Sequence, residues 1–203
     1  MSGYPVLLAG DALAALVVGG GAVAARKARA LLECGARVRL IAPAICAAVD
    51  ALTSATPRLT TERREYVVGD VGDALLVIAA TSDATVNAAV ASDARALGRL
   101  VNVAGAPVLG NFATVATHRA GTLVIGVSAG GVPSAAARIR DAIAERFDGR
   151  YGESVAALAG LRERILADRG ADAWRATADA LVGSDFCAAV ESGVLAREVA
   201  AWP

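Results

Sequence analysis

The stretch Leu16-Val17-Val18-Gly19-Gly20-Gly21-Ala22-Val23-Ala24-Ala25-Arg26-Lys27 constrains the fold of this chain more than any other. It reads as an apolar strand, a run of glycines and the first turns of a helix. Gly19, Gly21 and Ala24 fit the pattern GxGxx(G/A). In that pattern the first glycine permits a tight turn, the second lets a pyrophosphate approach the backbone, and the small third residue lets helix and strand pack closely. The N–H groups at the helix start, at Ala22 and Val23, are then placed to hold the pyrophosphate charge. Glycines also serve plain turns; the strand before this run and the helix after it are the context that a nucleotide site requires.

Composition narrows the alternatives. A chain of 203 residues is long enough for one moderate domain with an appendage and a real core. With 56% hydrophobic but only 4% aromatic residues, that core is built from Ala, Val and Leu. Twenty basic residues balance 20 acidic ones, which argues against nucleic acid as a partner. Cys34, Cys46 and Cys187 are few, distant and odd in number, so neither a disulfide framework nor a paired-cysteine metal site is expected. No basic segment followed by an apolar one opens the chain, and the longest uncharged stretches carry Asn, Gly, Pro and Ser, unlike a membrane span. The expectation is a soluble, cytoplasmic protein.

In order, strands and helices alternate. A short apolar segment, Tyr4 to Leu8, leads to a strand at Ala14 to Val18 and a helix from Ala22 to Cys34. The second strand, Arg37 to Ala42, ends at Pro43. An acidic residue that would bind an adenosine ribose is expected about 20 positions after the glycines. Ile41-Ala42-Pro43 stands there instead, so Ala42 and Pro43 are the candidate cofactor contacts at this strand end and the choice between NAD and NADP stays open. A short helix is expected over Ala44 to Leu52. Thr60 to Val68 is expected to contain an exposed strand, Glu62 to Tyr66, with solvated charges. Ala74 to Ala80 is a continuous apolar run, the pattern of a strand covered on both faces. It ends in Thr81-Ser82-Asp83, where parallel strands carry ligand sites. Asp83 is either a cleft residue or the N-cap of a helix over Ala84 to Leu97. Leu100 to Ala104 is the next strand, and Val103 near its end, like Thr81 at the end of the strand before it, is a candidate cofactor contact. Alternation of this kind predicts a Rossmann-type, doubly wound parallel sheet.

The remainder changes character. Phe112 to Thr117 and Thr122 to Val127 read as two strands joined by a turn at His118 to Gly121. A small-residue loop, Ser128 to Ser134, leads to a helix over Ala135 to Phe147 with Ser134 as its cap. From Ser154 to Trp202 the pattern predicts two or three helices. The expected divisions are 1–110 for the cofactor domain, 111–150 for a small β/α segment and 151–203 for a helical domain.

Taken together, the pieces resemble the precorrin-2 dehydrogenase family, the dehydrogenase and chelatase unit of siroheme synthase. They are Val17 to Ala28, Val77 to Asp83 with Val86-Asn87, Val101 to Ala104, Gly110-Asn111-Phe112, and Ser128 with Gly130-Gly131, in the family's order and spacing. The resemblance implies an NAD-binding domain, a central segment that helps to form a homodimer, and helices at the C-terminus. It also implies NAD-dependent oxidation of the small-molecule substrate precorrin-2 to sirohydrochlorin. In some members insertion of a divalent metal, Fe2+, follows. Family members place an aspartate directly after the Asn-Val-Ala/Val strand end; here that position is Gly105, followed by Ala106. Val115 stands where the family has proline, and Val132-Pro133-Ser134 ends the glycine loop in place of Ser-Pro.

The substrate face is therefore where the chain departs. Candidate replacements for the missing base are Asp83, His118 and Ser128. His118, the sole histidine, is also the candidate metal ligand, or else a plain exposed side chain. Gly105, Asn111 and Arg138 are candidate substrate contacts. Arg138 and the nearby Arg140 suit carboxylates, or else ordinary helix ion pairs. Three functions remain open at this stage: a dehydrogenase of the family type, a relative acting on another chelating small molecule, and a non-catalytic NAD-binding subunit.

Overall fold

A computed structural model describes residues 3–203; the first two positions, where the reading of the N-terminus and the first expected domain begin, lie outside the described residues. The chain divides into two compact units that meet between Thr114 and Val115.

The first unit holds β1 (Ala14–Val18), α1 (Ala22–Glu33), β2 (Arg37–Ile41), α2 (Ala47–Ala55), β3 (Leu59–Glu62), β4 (Leu76–Ala79), α3 (Ala84–Ala96) and β5 (Leu100–Val103). The strands form one parallel sheet in the order β3-β2-β1-β4-β5. The alternation expected from the sequence is thus a Rossmann-type sheet, with β1 and β4 side by side where the winding reverses. All four residues of β4 are buried, as a strand covered on both faces must be. Along β1 and β4 successive side chains enter opposite layers. Ala15, Val17, Leu76 and Ile78 join the layer under α1, where Ala24, Ala25 and Ala28 pack. Leu16, Val18, Val77 and Ala79 join the layer under α3, with Val90, Ala91 and Ala94. Alanine faces let both helices sit close to the sheet. Larger side chains such as Leu16, Leu40 and Val101 are fully buried and each contribute about 1.5–3 kcal/mol.

The charged segment after β3 differs from its expectation. The strand stops at Glu62, and the residues that follow turn back into an ion cluster instead of lining a solvated face. Arg64 grips both oxygens of Asp70 at 2.6 and 2.7 Å and reaches Glu62 at 2.6 Å, while Arg39 of β2 meets Glu62 at 3.1 Å. The side chain of Asp70 is 8% exposed and also accepts the Val67 N–H at 2.8 Å. The Arg64 guanidinium beside it holds its carboxyl below the usual range despite burial. Glu62 is likewise held low, by Arg39 first and then Arg64. A buried carboxylate cannot stay ionised unpaired, so the cations close around it. A folded-state value below the unfolded one gives stability that is present above the unfolded carboxylate range and lost as pH falls through the folded value. Asp70→Asn is expected to lower stability by about 2–3 kcal/mol at neutral pH. Urea unfolding at neutral pH and near about pH 3 should show that difference shrinking in acid.

The second unit holds β6 (Ala116–Ala120), β7 (Leu123–Val127), α4 (Pro133–Arg146), α5 (Gly149–Asp168), α6 (Gly170–Leu181), α7 (Phe186–Glu191) and α8 (Val194–Ala201). β6 and β7 form an antiparallel hairpin. Its turn is Gly121-Thr122 and not His118 to Gly121: Gly121 takes φ +56°, the backbone that a two-residue hairpin loop needs, so pairing runs up to Ala120. His118 consequently lies within β6, opposite Ile125. α4 starts two residues before the expected Ala135, because Pro133 fits the first helical turn and Val132, not Ser134, is the cap. The C-terminal stretch makes four helices where two or three were expected. Tyr151, Leu161, Ile165, Leu181, Leu195 and Val199 form their core, with Leu123 of β7 against it. A Cβ at Gly152 would stand 2.1 Å from the Ala120 carbonyl oxygen, so only glycine lets α5 lie against the end of β6. Among the described residues no helix is long and apolar enough to cross a membrane.

Candidate functional site

The carboxyl ends of β1 and β4 converge at the point where the sheet winding reverses, the place where open α/β sheets take ligands. Gly19 follows β1 with φ +123°, and a Cβ there would lie 2.3 Å from the Ala80 carbonyl oxygen at the end of β4. A Cβ on Gly20 would lie 2.0 Å from the Ala44 oxygen. Both glycines are therefore required by the protein's own packing. Gly21 is different. Its backbone is ordinary extended chain, with φ −84° and ψ −175°, and a Cβ there would meet nothing within 4 Å. No side chain caps α1 at Gly21, so the first amides of the helix face that open space without an acidic or hydroxyl partner. Open room, uncapped N–H groups and the positive end of a helix dipole suit a pyrophosphate. Ala24 is fully buried between α1 and the sheet. The residues present thus fit a dinucleotide: the amides of Ala22 and Val23 would hold its phosphates.

The rim is built from the other strand ends. Ala42 and Pro43 follow β2; Ala42 is buried and donates its N–H to the Glu62 carbonyl at 3.1 Å. No carboxylate stands at that strand end. Arg39 is tied to Glu62 and to the Asp70 carbonyl, which withdraws it from the crevice. Val103 is buried at the end of β5, and Ala104 extends the pairing to Ala79 at 2.8 Å.

Thr81, at the end of β4, is held by a residue that the sequence reading left without a role. Asn87 of α3 is 6% exposed. It accepts the Thr81 N–H at 3.1 Å and hydroxyl at 2.9 Å, and donates to the Thr81 carbonyl at 3.1 Å. Its signal was a polar residue on the helical face shared by Val90, Ala91 and Ala94. Asp83 caps α3, its Oδ1 accepting from Thr85 at 2.7 Å and Val86 at 3.3 Å. Gly105 is exposed, with φ +77° and nothing within 4 Å of a would-be Cβ. The space of the missing side chain is therefore open. Asn111 spends its amide on β5, accepting from the Val101 N–H at 2.7 Å and donating to the Arg99 carbonyl at 2.9 Å. It staples the amino half of that strand, away from the carboxyl ends. A separate cavity of about 250 Å³ opens at the amino ends of β1 and β2, among Arg37, Arg39, Arg58 and Asp73. Lying at the opposite end of the strands, it takes no part in the crevice.

Comparison with known proteins meets this geometry directly. The family described as "Putative NAD(P)-binding" matches residues 7–116, more than half of the chain. The chain belongs to this NAD(P)-binding family. Within it, the chain is a homologue of the N-terminal unit of siroheme synthases. Siroheme synthase 1 of Halorhodospira halophila is 36% identical over 178 residues, 86% of this chain and 37% of the relative. Siroheme synthase of Stutzerimonas stutzeri is 40% identical over 153 residues, 75% of this chain and 32% of that protein. The chain spans about a third of the length of these relatives. The solved structure of SirC, a precorrin-2 dehydrogenase, superposes with a TM-score of 0.77 at 23% identity, covering 98% of this chain and all of SirC, and shows the same fold.

Three candidates of this family member lie in the second unit. The His118 Nε2 donates to the Phe147 carbonyl at 2.6 Å, which fixes the tautomer and ties β6 to the end of α4. Among the described residues no three His, Cys, Asp or Glu side chains gather as a metal-holding group. Ser128, just after β7, and Arg138, on α4, are both exposed. Arg140 pairs with its neighbour Asp141 at 2.5 Å, the ordinary helix ion pair.

Proposed function

We propose that this chain is an NAD-dependent oxidoreductase of tetrapyrrole biosynthesis that oxidises precorrin-2, or a closely similar reduced macrocycle, to its sirohydrochlorin-type product. The reading is carried by Gly21, the one glycine of the loop that the protein's own packing does not require. Held by these residues, NAD would supply the acceptor for a hydride leaving the substrate. The chain's part is positional. The amides of Ala22 and Val23 would neutralise the pyrophosphate, the buried strand ends would keep water from that side of the crevice, and Asn87 fixes the Thr81 turn at the end of β4. Similarity to siroheme synthases over part of their length supports this reading, and SirC, a precorrin-2 dehydrogenase, shares the fold that it requires. The homodimer implied by the family resemblance belongs to the same reading.

Loss of a proton from the macrocycle must accompany hydride departure, and a base within hydrogen-bond reach speeds such a step by roughly 10²–10⁴-fold. Gly105 offers none. Asp83, at the end of the neighbouring strand β4, is the candidate in the same unit as Gly105, with Oδ1 engaged by two amides of α3. The bare Gly105 favours a second reading, in which the natural substrate is another chelating small molecule whose oxidation or metallation, with Fe2+ as co-substrate, does not call on a carboxylate there.

Titration of the purified protein with NAD and with NADP, followed by precorrin-2 turnover monitored as reduced nicotinamide, separates these. Micromolar binding of NAD with slow but measurable precorrin-2 oxidation is the expected result. Binding without any oxidation leaves the second reading; affinity no better than about millimolar for both dinucleotides, a binding energy of only about 4 kcal/mol, overturns both.

A further inference from the structure

Of the chain's 20 basic residues, 19 are arginines, and the remaining one is Lys27. It lies on α1, four residues after Val23 and hence on the same helical face, one turn beyond the glycine loop. Helical side chains lean toward the N-terminus, so its stem leans back toward that loop. The lysine is half-buried, and its Nζ donates to the Thr114 Oγ1 at 2.6 Å, joining α1 to the chain that follows β5. Among the described residues no carboxylate pairs with it, whereas Arg39, Arg63 and Arg64 of the same unit are each in an ion pair. Burial and the adjacent Arg26 both press its amine below the usual lysine range, and no acidic group opposes them.

We propose that Lys27 and Thr114 form an oxyanion-recognition point beside the glycine loop, taking either a carboxylate of the substrate or a phosphate of the dinucleotide. The proposal rests on the reading of this crevice as a dinucleotide and tetrapyrrole site. An ammonium has three donors and no acceptor. One N–H is given to Thr114, which leaves two. The threonine hydroxyl, having accepted, keeps its own proton to donate. The pair thus presents two N–H donors and one O–H donor around a partly desolvated positive charge with no internal counter-ion. An arriving oxyanion supplies what the fold leaves out, and charge-assisted bonds of this kind are about twice as strong as neutral ones. A compact ammonium also fits beside a hydroxyl where a planar guanidinium would have to splay.

The solitary lysine makes the test direct. Trinitrobenzenesulfonate modifies the wild-type protein at one ε-amine, which peptide mapping separates from the α-amine. NAD, or uroporphyrin III as an octacarboxylate tetrapyrrole, should slow the Lys27 reaction at least about fivefold at saturation. Lys27→Gln and Thr114→Val should weaken the same probe, the first by about tenfold or more, with unchanged circular dichroism. Protection by NAD assigns the phosphate; protection by uroporphyrin III assigns the carboxylate. Labelling that neither probe slows, or Lys27→Gln binding both as the wild type does, overturns the proposal even if precorrin-2 is oxidised. Protection of Lys27 in a protein that does not oxidise precorrin-2 sustains the anion point while the dehydrogenase reading falls.

Discussion

Gly21→Asp is expected to leave the fold intact, or to stabilise it slightly, while weakening NAD binding by at least about 100-fold. The two effects have opposite signs because they act on different partners. The backbone at Gly21 is extended, with φ −84°, so a side chain costs no strain, and its Cβ would meet nothing within 4 Å. The position is the N-cap of α1 and lacks a side-chain acceptor. Aspartate is among the best caps, a few tenths of a kcal/mol better than glycine, and its charge complements the helix dipole. In the complex the same carboxylate stands where the pyrophosphate must approach. Two like charges about 4 Å apart repel by about 4 kcal/mol at an effective dielectric of 20, and even after screening this exceeds the 2.8 kcal/mol or so that corresponds to 100-fold. Calorimetric titration with NAD, together with thermal unfolding, reads both quantities. Affinity within tenfold of the wild type would remove the pyrophosphate from this loop. Gly19→Ala is the contrast, since its Cβ would collide with Ala80 and should cost stability outright.

That contrast bears on what a sequence can reveal. A strand–glycine–helix run is legible because the chain must turn sharply at a fixed place, and the sheet followed from strands whose apolar runs allow burial on two faces. β1 matches its expected limits, and β4 and β5 lie within theirs. Periodicity says less about polar residues, because their partners lie far away along the chain. Asp70, buried under Arg64 and Arg39, is 31 positions from the latter. Its neighbours Glu62 to Tyr66 therefore looked like a solvated strand. Asn111 looked like a cleft residue for a similar reason: an exposed-looking amide after a strand gives no hint that it folds back on that strand's first residues. The helical tail was legible in kind only, since alanine-rich sequence marks helix without marking where Gly170 and Gly193 break it.

Gly105→Asp is expected to raise NAD-dependent oxidation of precorrin-2 by about 10²-fold or more, the usual worth of a positioned general base. The position can take the change. Gly105 has φ +77°, and aspartate is among the few side chains that tolerate that region, at a cost of about 1–2 kcal/mol. Its Cβ would enter open space, and the β5 end that carries it is fixed by the Ala104–Ala79 bond at 2.8 Å and buried Val103. A carboxylate there would be solvent-accessible and ionised at neutral pH, as a proton acceptor must be. Gly105→Asn is the necessary companion, because it bears the same backbone cost with no basic oxygen. A rise in kcat with aspartate but not asparagine, at unchanged NAD affinity, assigns the gain to proton removal and makes the native glycine the reason for slow turnover. Equal rates for the two variants and the wild type would mean that the proton leaves elsewhere. A wild-type enzyme already as fast as the aspartate variant would make another group of this chain the base, with the Asp83 carboxylate the first to remove.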